Sequence, residues 1–292
     1  MNKSDSTDGS RQVFDNDAMS EIGRGHLSSP SDKSFTIHRY APAPPSGRWL
    51  RAFWIPVWHV PRGEVREQRI LTYPVCLLSI TAGYARLVGP TTTAARVPLA
   101  GTGWAFGVML TPSTGRAVLA EEIAGLTNRH TELEAIPLLA DLVPLIRDRM
   151  SPDPALPSAH AAARRLIEER FAALPRPAGA ALLIDRLVAR VEHDAAITSV
   201  RSLCEVFGLR ERTLQRLCAR FLGVSPLWLI RQRRLQEACA VLRLSDGSLG
   251  DLASRLGYAD QAHFSRDFRR ATGWTPREFA ALARPRSSST GP

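Results

Sequence analysis

Lysine is nearly missing from this chain: Lys3 and Lys33 are the only two, so arginine carries the basic charge. Cysteine is scarce as well. Cys76, Cys204, Cys218 and Cys239 form no Cys-x-x-Cys pair and have no histidines at zinc-finger spacing, which argues against a zinc fold or a disulfide scaffold. Three of the four lie in apolar helical patterns and read as small buried hydrophobes of a reducing compartment. Long apolar runs are missing too. The N-terminus is polar, without the apolar core of a secretion signal, and the most apolar stretch, "LTYPVCLLSITAG", is too short to span a bilayer. The expectation is a cytoplasmic protein with no membrane segment. Catalytic signatures are absent: there is no nucleophile elbow, glycine-rich phosphate loop or His-Glu-x-x-His. His38, His59 and His130 are scattered, with no acidic partner at metal-like spacing. No enzyme activity, metal or cofactor is expected.

What is present points elsewhere. The 292 residues, 44% hydrophobic, suffice for one large domain or two medium ones. The net charge is +10 and the isoelectric point about 10.4, the electrostatic footprint of a nucleic-acid binder. Residues 179–284 hold 17 Arg, no Lys and 11 Asp plus Glu, a net of +6, so most of the excess sits in the last third.

The texture changes along the chain. Residues 1–34 are rich in Ser, Asp, Asn and Gly and read as a disordered tail, as do residues 285–292. From Phe35 to about Ala135, short apolar and aromatic runs broken by Pro and Gly, such as "RWLRAFWIPVWHV" and "RVPLAGTGWAFGVMLT", predict strands of a sandwich- or barrel-like unit. "GRAVLAEEIAGL", "LEAIPLLADLVPLIRDRM" and "SAHAAARRLIEERFAAL" read as helices. The break "PRPAGA" (Pro175 to Ala180) closes a β-rich domain, 35–178, and opens an all-α domain, 179–284, giving an α+β chain. Trp54, Trp58, Trp104 and Phe106 are candidates to line a small-molecule pocket in the first domain, with core packing as the alternative.

The all-α domain contains one pattern twice. "SVRSLCEVFGLRERTLQRLCARFLG" predicts a helix from Val200 to Phe207, a stop at Gly208 and a second helix from about Glu211 to Phe221. "SLGDLASRLGYADQAHFSRDFRRATG" predicts a helix from Leu249 ending at Gly257 and a second from about Gln261 to Ala271, capped by Asp260. Each is a helix-turn-helix unit. Leu203, Val206, Leu209, Leu214 and Leu217 should form one core, and Leu252, Leu256, Phe264 and Phe268 the other, with Tyr258 and Trp274 packed against it. Between the units, Ser225 and Pro226 start a helix that nothing breaks before Asp246-Gly247. About 18 residues make a rod of roughly 27 Å, long enough to hold the two second helices about one duplex turn, ~34 Å, apart.

Residues 180–284 resemble the DNA-binding domain of the AraC/XylS family of bacterial transcription regulators. The resemblance is carried above all by "GYADQAHFSRDFRRATGWTPREF" (Gly257 to Phe279) and by "RTLQRLCARFLGVSP" in the first unit. It implies that the second helix of each unit reads bases of double-stranded DNA, with Arg212, Gln215 and Arg216 at those positions in the first and Gln261, Ala262, His263 and Arg266 in the second. Arginine can bond guanine O6 and N7, and glutamine adenine N6 and N7, in pairs; Ala262 offers only a methyl contact. Arg269 and Arg270 read as phosphate contacts. The N-terminal run "FTIHRYAPAPPSGRWLRAFW" with "GPTTTAARVPLAGTGWAFGVMLTPSTGRAVL" is similar to an uncharacterised β-rich domain that often precedes such regions. The partners implied are DNA, RNA polymerase, a small-molecule effector and a second copy of the chain. Two other classes stay open: a DNA-repair alkyltransferase built on a reactive cysteine, and a protein-interaction module.

Overall fold

In the computed structural model, which describes residue 27 and residues 34–244 and 247–283, the alternation of β2 (Leu50–His59) divides the N-terminal half into two faces. β2 pairs antiparallel with β1 (Phe35–Tyr40) and with β7 (Thr102–Leu110). Successive side chains on a strand point to opposite faces. Phe53 and Ile55 of β2 and Trp104, Phe106 and Val108 of β7 join the main core. Trp54 lies on the other face with Ala52, Tyr73, Val75 and Met109. Its indole crosses β7 at its partner Gly107, where a Cβ would sit 2.2 Å from the ring; Trp58 crosses Gly103 in the same way, at 2.4 Å. Only glycine leaves that room. The expectation that Trp54, Trp58, Trp104 and Phe106 line one pocket is thereby corrected: the strand period sends two to each face, and Trp104 and Phe106 are core.

The sheet continues through β4 (Leu77–Thr81), β5 (Ala85–Val88) and β8 (His130–Glu132), in the order β1-β2-β7-β4-β5-β8, antiparallel throughout. β3 (Arg66–Ile70) and β6 (Ala95–Leu99) form a separate two-stranded ribbon. The inner face is covered by α1 (Thr114–Leu119), a 3-10 turn at Ile123–Leu126, α2 (Leu142–Met150) and α3 (Pro157–Ala172). The helical reading of "GRAVLAEEIAGL" therefore splits into a short helix and a 3-10 turn, because Ala120 takes a left-handed conformation, φ 61°, between them.

From Ala180 onward the chain is helical: α4 (Ala180–His193), α5 (Val200–Phe207), α6 (Glu211–Leu222), α7 (Pro226–Leu244), α8 (Leu249–Arg255), α9 (Gln261–Thr272) and α10 (Pro276–Ala283). Leu203, Leu214 and Leu217 are buried with Ile184, Leu187 and Leu222 in one core; Leu252, Leu256, Phe264 and Phe268 are buried with Phe279 in the other. Val206 is a correction. It is 48% exposed, because the apolar stripe of α5 runs through Val200, Leu203, Cys204 and Phe207 and leaves it one position off. Asp246 and the two tails, apart from Leu27 and Ser34, lie outside the described residues.

Candidate nucleic-acid interface

Each pair of helices is set by local chemistry that the sequence spells out. Ser199 caps α5 by accepting from the Ser202 amide, and α5 stops at Gly208, whose φ of 62° closes its last turn. α6 follows after Leu209 and Arg210. In the second pair Ser248 caps α8, Gly257 takes a φ of 74°, and Asp260 caps α9 by accepting from the His263 amide at 2.6 Å. Ser225 Oγ accepts from the Trp228 amide at 3.1 Å to start α7, with Pro226 as its first residue. At 19 residues α7 is about 28 Å long.

The residues proposed for base reading are all exposed: Arg212, Gln215 and Arg216 on α6, and Gln261, Ala262, His263 and Arg266 on α9. Arg269 and Arg270 are exposed in the last turn of α9. Gln215 donates to Glu211 Oε1 at 2.9 Å, and the His263 ring meets Tyr258 edge to face at 5.3 Å. Among the described residues, Arg212, Arg216, Arg266 and Arg270 are in no ion pair, whereas Arg231 and Arg233 of α7 are paired. Arg231 of α7 forks onto Asp267 of α9 at 2.8 Å. Asp267 also accepts from the Tyr258 hydroxyl at 2.9 Å, and Arg234 stacks 4.1 Å over the Tyr258 ring. Burial first and the Asp267 carboxylate second push the Tyr258 hydroxyl's pKa up, so it remains a donor. On the other side of α7, Arg233 reaches Glu237 at 2.7 Å and the carbonyls of Ala195 and Ile197. Consecutive arginines of one helix thus tie it to both units. The bonded arginines orient the helices, and the unpaired ones face solvent as available donors.

Sequence reasoning did not identify the Arg231–Asp267–Tyr258 network. Its members are polar residues in a helical pattern, and nothing local distinguishes a paired arginine from a solvated one. It also missed that the β-rich half packs on the helical half. Leu27 and Leu71 are buried in the core of the second unit. Gln232 and Gln236 of α7 donate to the Thr72 carbonyl at 2.5 and 3.4 Å. Arg51 of β2 forks onto Glu192 of α4 at 2.8 and 3.0 Å. Asp185 of α4 accepts from the Ser113 amide at 2.9 Å and hydroxyl at 2.6 Å.

No group of three or more potential metal ligands occurs among the described residues, and none of their helices is long and apolar enough to cross a membrane. Burial pushes the Cys76, Cys218 and Cys239 thiols up to about 12. A thiol so far from ionising is a poor nucleophile, which weighs against the alkyltransferase alternative.

Comparison with known proteins bears on this geometry. Residues 203–281 match a helix-turn-helix domain model that takes in both units and α7. Residues 203–281 are thus a helix-turn-helix domain. Residues 38–132 match a domain of unknown function, DUF6597. The chain is 38% identical over 96 residues to the HTH-type transcriptional activator RhaS of Enterobacter sp. (strain 638), and over 87 residues to that of Escherichia coli O139:H28. The first match covers 32% of this chain and 34% of the relative, so the chain spans about a third of the length of these curated relatives. Among solved structures, the C-terminal domain of AraT from Geobacillus stearothermophilus matches 39% of this chain and 94% of its own, at 21% identity and a TM-score of 0.35. ToxT from Vibrio cholerae O395 covers 86% of this chain and 99% of its own, at 13% identity and a TM-score of 0.36. At those scores neither likeness bears on function.

Proposed function

We propose that this chain is a sequence-specific DNA-binding transcriptional regulator in which residues 179–284 read DNA and residues 35–178 regulate the reading. One observation carries the proposal: two helix-turn-helix units on a single rigid helix each present a second helix with unpaired arginines to solvent. A rod of about 28 Å suits two insertions into successive major grooves on one face of the duplex. Arg212, Gln215, Arg216, Gln261, His263 and Arg266 are assigned to base edges, and Arg269 and Arg270 to phosphates. The identity with curated transcriptional activators over this region supports the reading.

The reading extends to a non-catalytic protein acting in the bacterial cytoplasm, in contact with RNA polymerase, and controlled by a small effector or by pairing of two copies. The effector part is supported by a cavity of about 580 Å³ between the two halves, lined by Arg48, Arg51, Arg176, Leu182 and Asp185. An effector there acts only through different affinities for the DNA-competent and DNA-incompetent arrangements. The test of the central reading is a salt titration of the full chain on duplexes it selects from a random pool. Counterion release by arginines on phosphates gives a steep linear fall of log K with log salt; a flat plot, or selection of no sequence, refutes it.

A further inference from the structure

The two second helices end in the same way. α6 stops at Gly223 with φ 65° and α9 at Gly273 with φ 85°, each in the left-handed conformation. Both caps are touched by the β-rich half. Thr127 Oγ1 donates to the Gly223 carbonyl at 2.6 Å. A Cβ on Gly223 would lie 2.4 Å from that oxygen and 2.8 Å from the Ile123 carbonyl oxygen. At the other cap a Cβ on Gly273 would lie 2.7 Å from Arg69 Nη1, and the Arg69 guanidinium stacks 4.2 Å over the neighbouring Trp274 ring. Gly208, a left-handed cap that no side chain approaches, shows that helix termination does not itself require such contact.

The two contact points are themselves connected. Arg69 is in β3, held by Glu67 at 2.7 Å, and its carbonyl accepts from the Leu27 amide at 2.9 Å. Three residues on, Thr72 takes the Gln232 bond from α7, while its own hydroxyl donates to the Thr91 carbonyl at 2.8 Å. The Thr92 amide and hydroxyl both donate to Asn128 Oδ1, at 2.8 and 3.1 Å, and the Asn128 amide donates to the Pro90 carbonyl at 2.9 Å. Asn128 follows Thr127 directly. An unbroken path of hydrogen bonds and chain therefore runs through the β-rich half from the cap of α9, past the middle of α7, to the cap of α6. The opposite ends of α6 and α9, which carry Arg212 and Gln261, are exposed.

We propose that Thr127 and Arg69 are positioning residues which, through this bridge, set the separation and relative tilt of the two reading helices. The proposal rests on the DNA-binding reading above. α7 joins the two units through the chain; the bridge adds a second tie at the C-terminal caps of both helices and removes the remaining rocking freedom. Register on DNA is sensitive to such freedom, because one inserted base pair shifts the second groove by about 3.4 Å and about 36°.

The test selects duplexes from a random pool with the wild-type full chain and with the Thr127→Val/Arg69→Gln double variant. Wild type is expected to enrich two base blocks at one spacing and to lose at least about tenfold in affinity when one base pair is inserted between them. The variant is expected to enrich the same two blocks at spacings spread over neighbouring values, with less than about a threefold loss on the insertion. Thr127→Ser with Arg69 intact keeps both contacts and should restore the single spacing. The same single spacing and the same insertion penalty in the double variant would overturn the proposal. If the double variant does not fold, the near-isosteric Thr127→Val carries the test alone. Failure of wild type to enrich any sequence would refute the DNA-binding reading, an outcome distinct from an unchanged spacing.

Discussion

Arg216 and Arg266 occupy corresponding places in the two units, both exposed and, among the described residues, in no ion pair. Arg216→Ala and Arg266→Ala should each relax base discrimination by about 1–3 kcal/mol. The affected positions should lie about one helical turn apart, and a binding scan over all single-base variants of a selected site measures both. A loss at the same base pair for both would contradict reading in two grooves. The cysteines make a second prediction. Three thiols stay protonated in the fold up to about 12, while the ordinary value is 9.0. A pKa raised by folding contributes stability that is present below the unfolded value and lost as pH rises towards the folded one. Urea midpoints should therefore fall from pH 8 to pH 10, and less steeply in a Cys218→Ala/Cys239→Ala variant. A thiol reagent at pH 8 should label the half-buried Cys204 first in native protein; prompt labelling of Cys76 would contradict its burial.

Among the elements, the helical region was the most legible in sequence, because its signals are local. Asp260 as a cap, Gly208 and Gly257 as stops, and Ser225-Pro226 at the start of α7 were read from the sequence and all act within a few residues; the Ser199 cap and the Gly223 and Gly273 stops emerge only in the structure. The strands were legible as runs, but their order was not. The placement of β7 between β2 and β4, and the separation of the β3–β6 ribbon, depend on contacts far apart in the chain. The aromatic pocket failed at this scale, since grouping Trp54 and Trp58 with Trp104 and Phe106 ignored the two-residue period of each strand. The caps give an element-scale prediction. Gly208→Ala and Gly223→Ala both lose left-handed glycine freedom, worth about 1 kcal/mol. Only Gly223→Ala also drives a methyl into Thr127 and Ile123, so it should cost at least about 1 kcal/mol more. Equal losses in urea unfolding would mean that the β-rich half does not press on α6.

Across the whole molecule, the two halves share structure that no stretch of sequence announces. Leu71 of the β-rich half completes the core of the second helix-turn-helix unit, and Thr72 meets α7 across 160 residues of chain. The faces proposed to meet bases nonetheless remain open: Arg212, Arg216, Arg266 and Arg270 are exposed and, among the described residues, in no ion pair. On the proposed reading, a single chain spans two grooves. The most direct measurement of that claim is methylation protection of guanine N7 by the full chain on a selected duplex, at a concentration where sedimentation shows a monomer. The account predicts two clusters of major-groove protection on one face, about ten base pairs apart, with Arg216→Ala abolishing protection in one cluster and Arg266→Ala in the other. A single cluster, or two clusters that appear only when the chain dimerises, would contradict it.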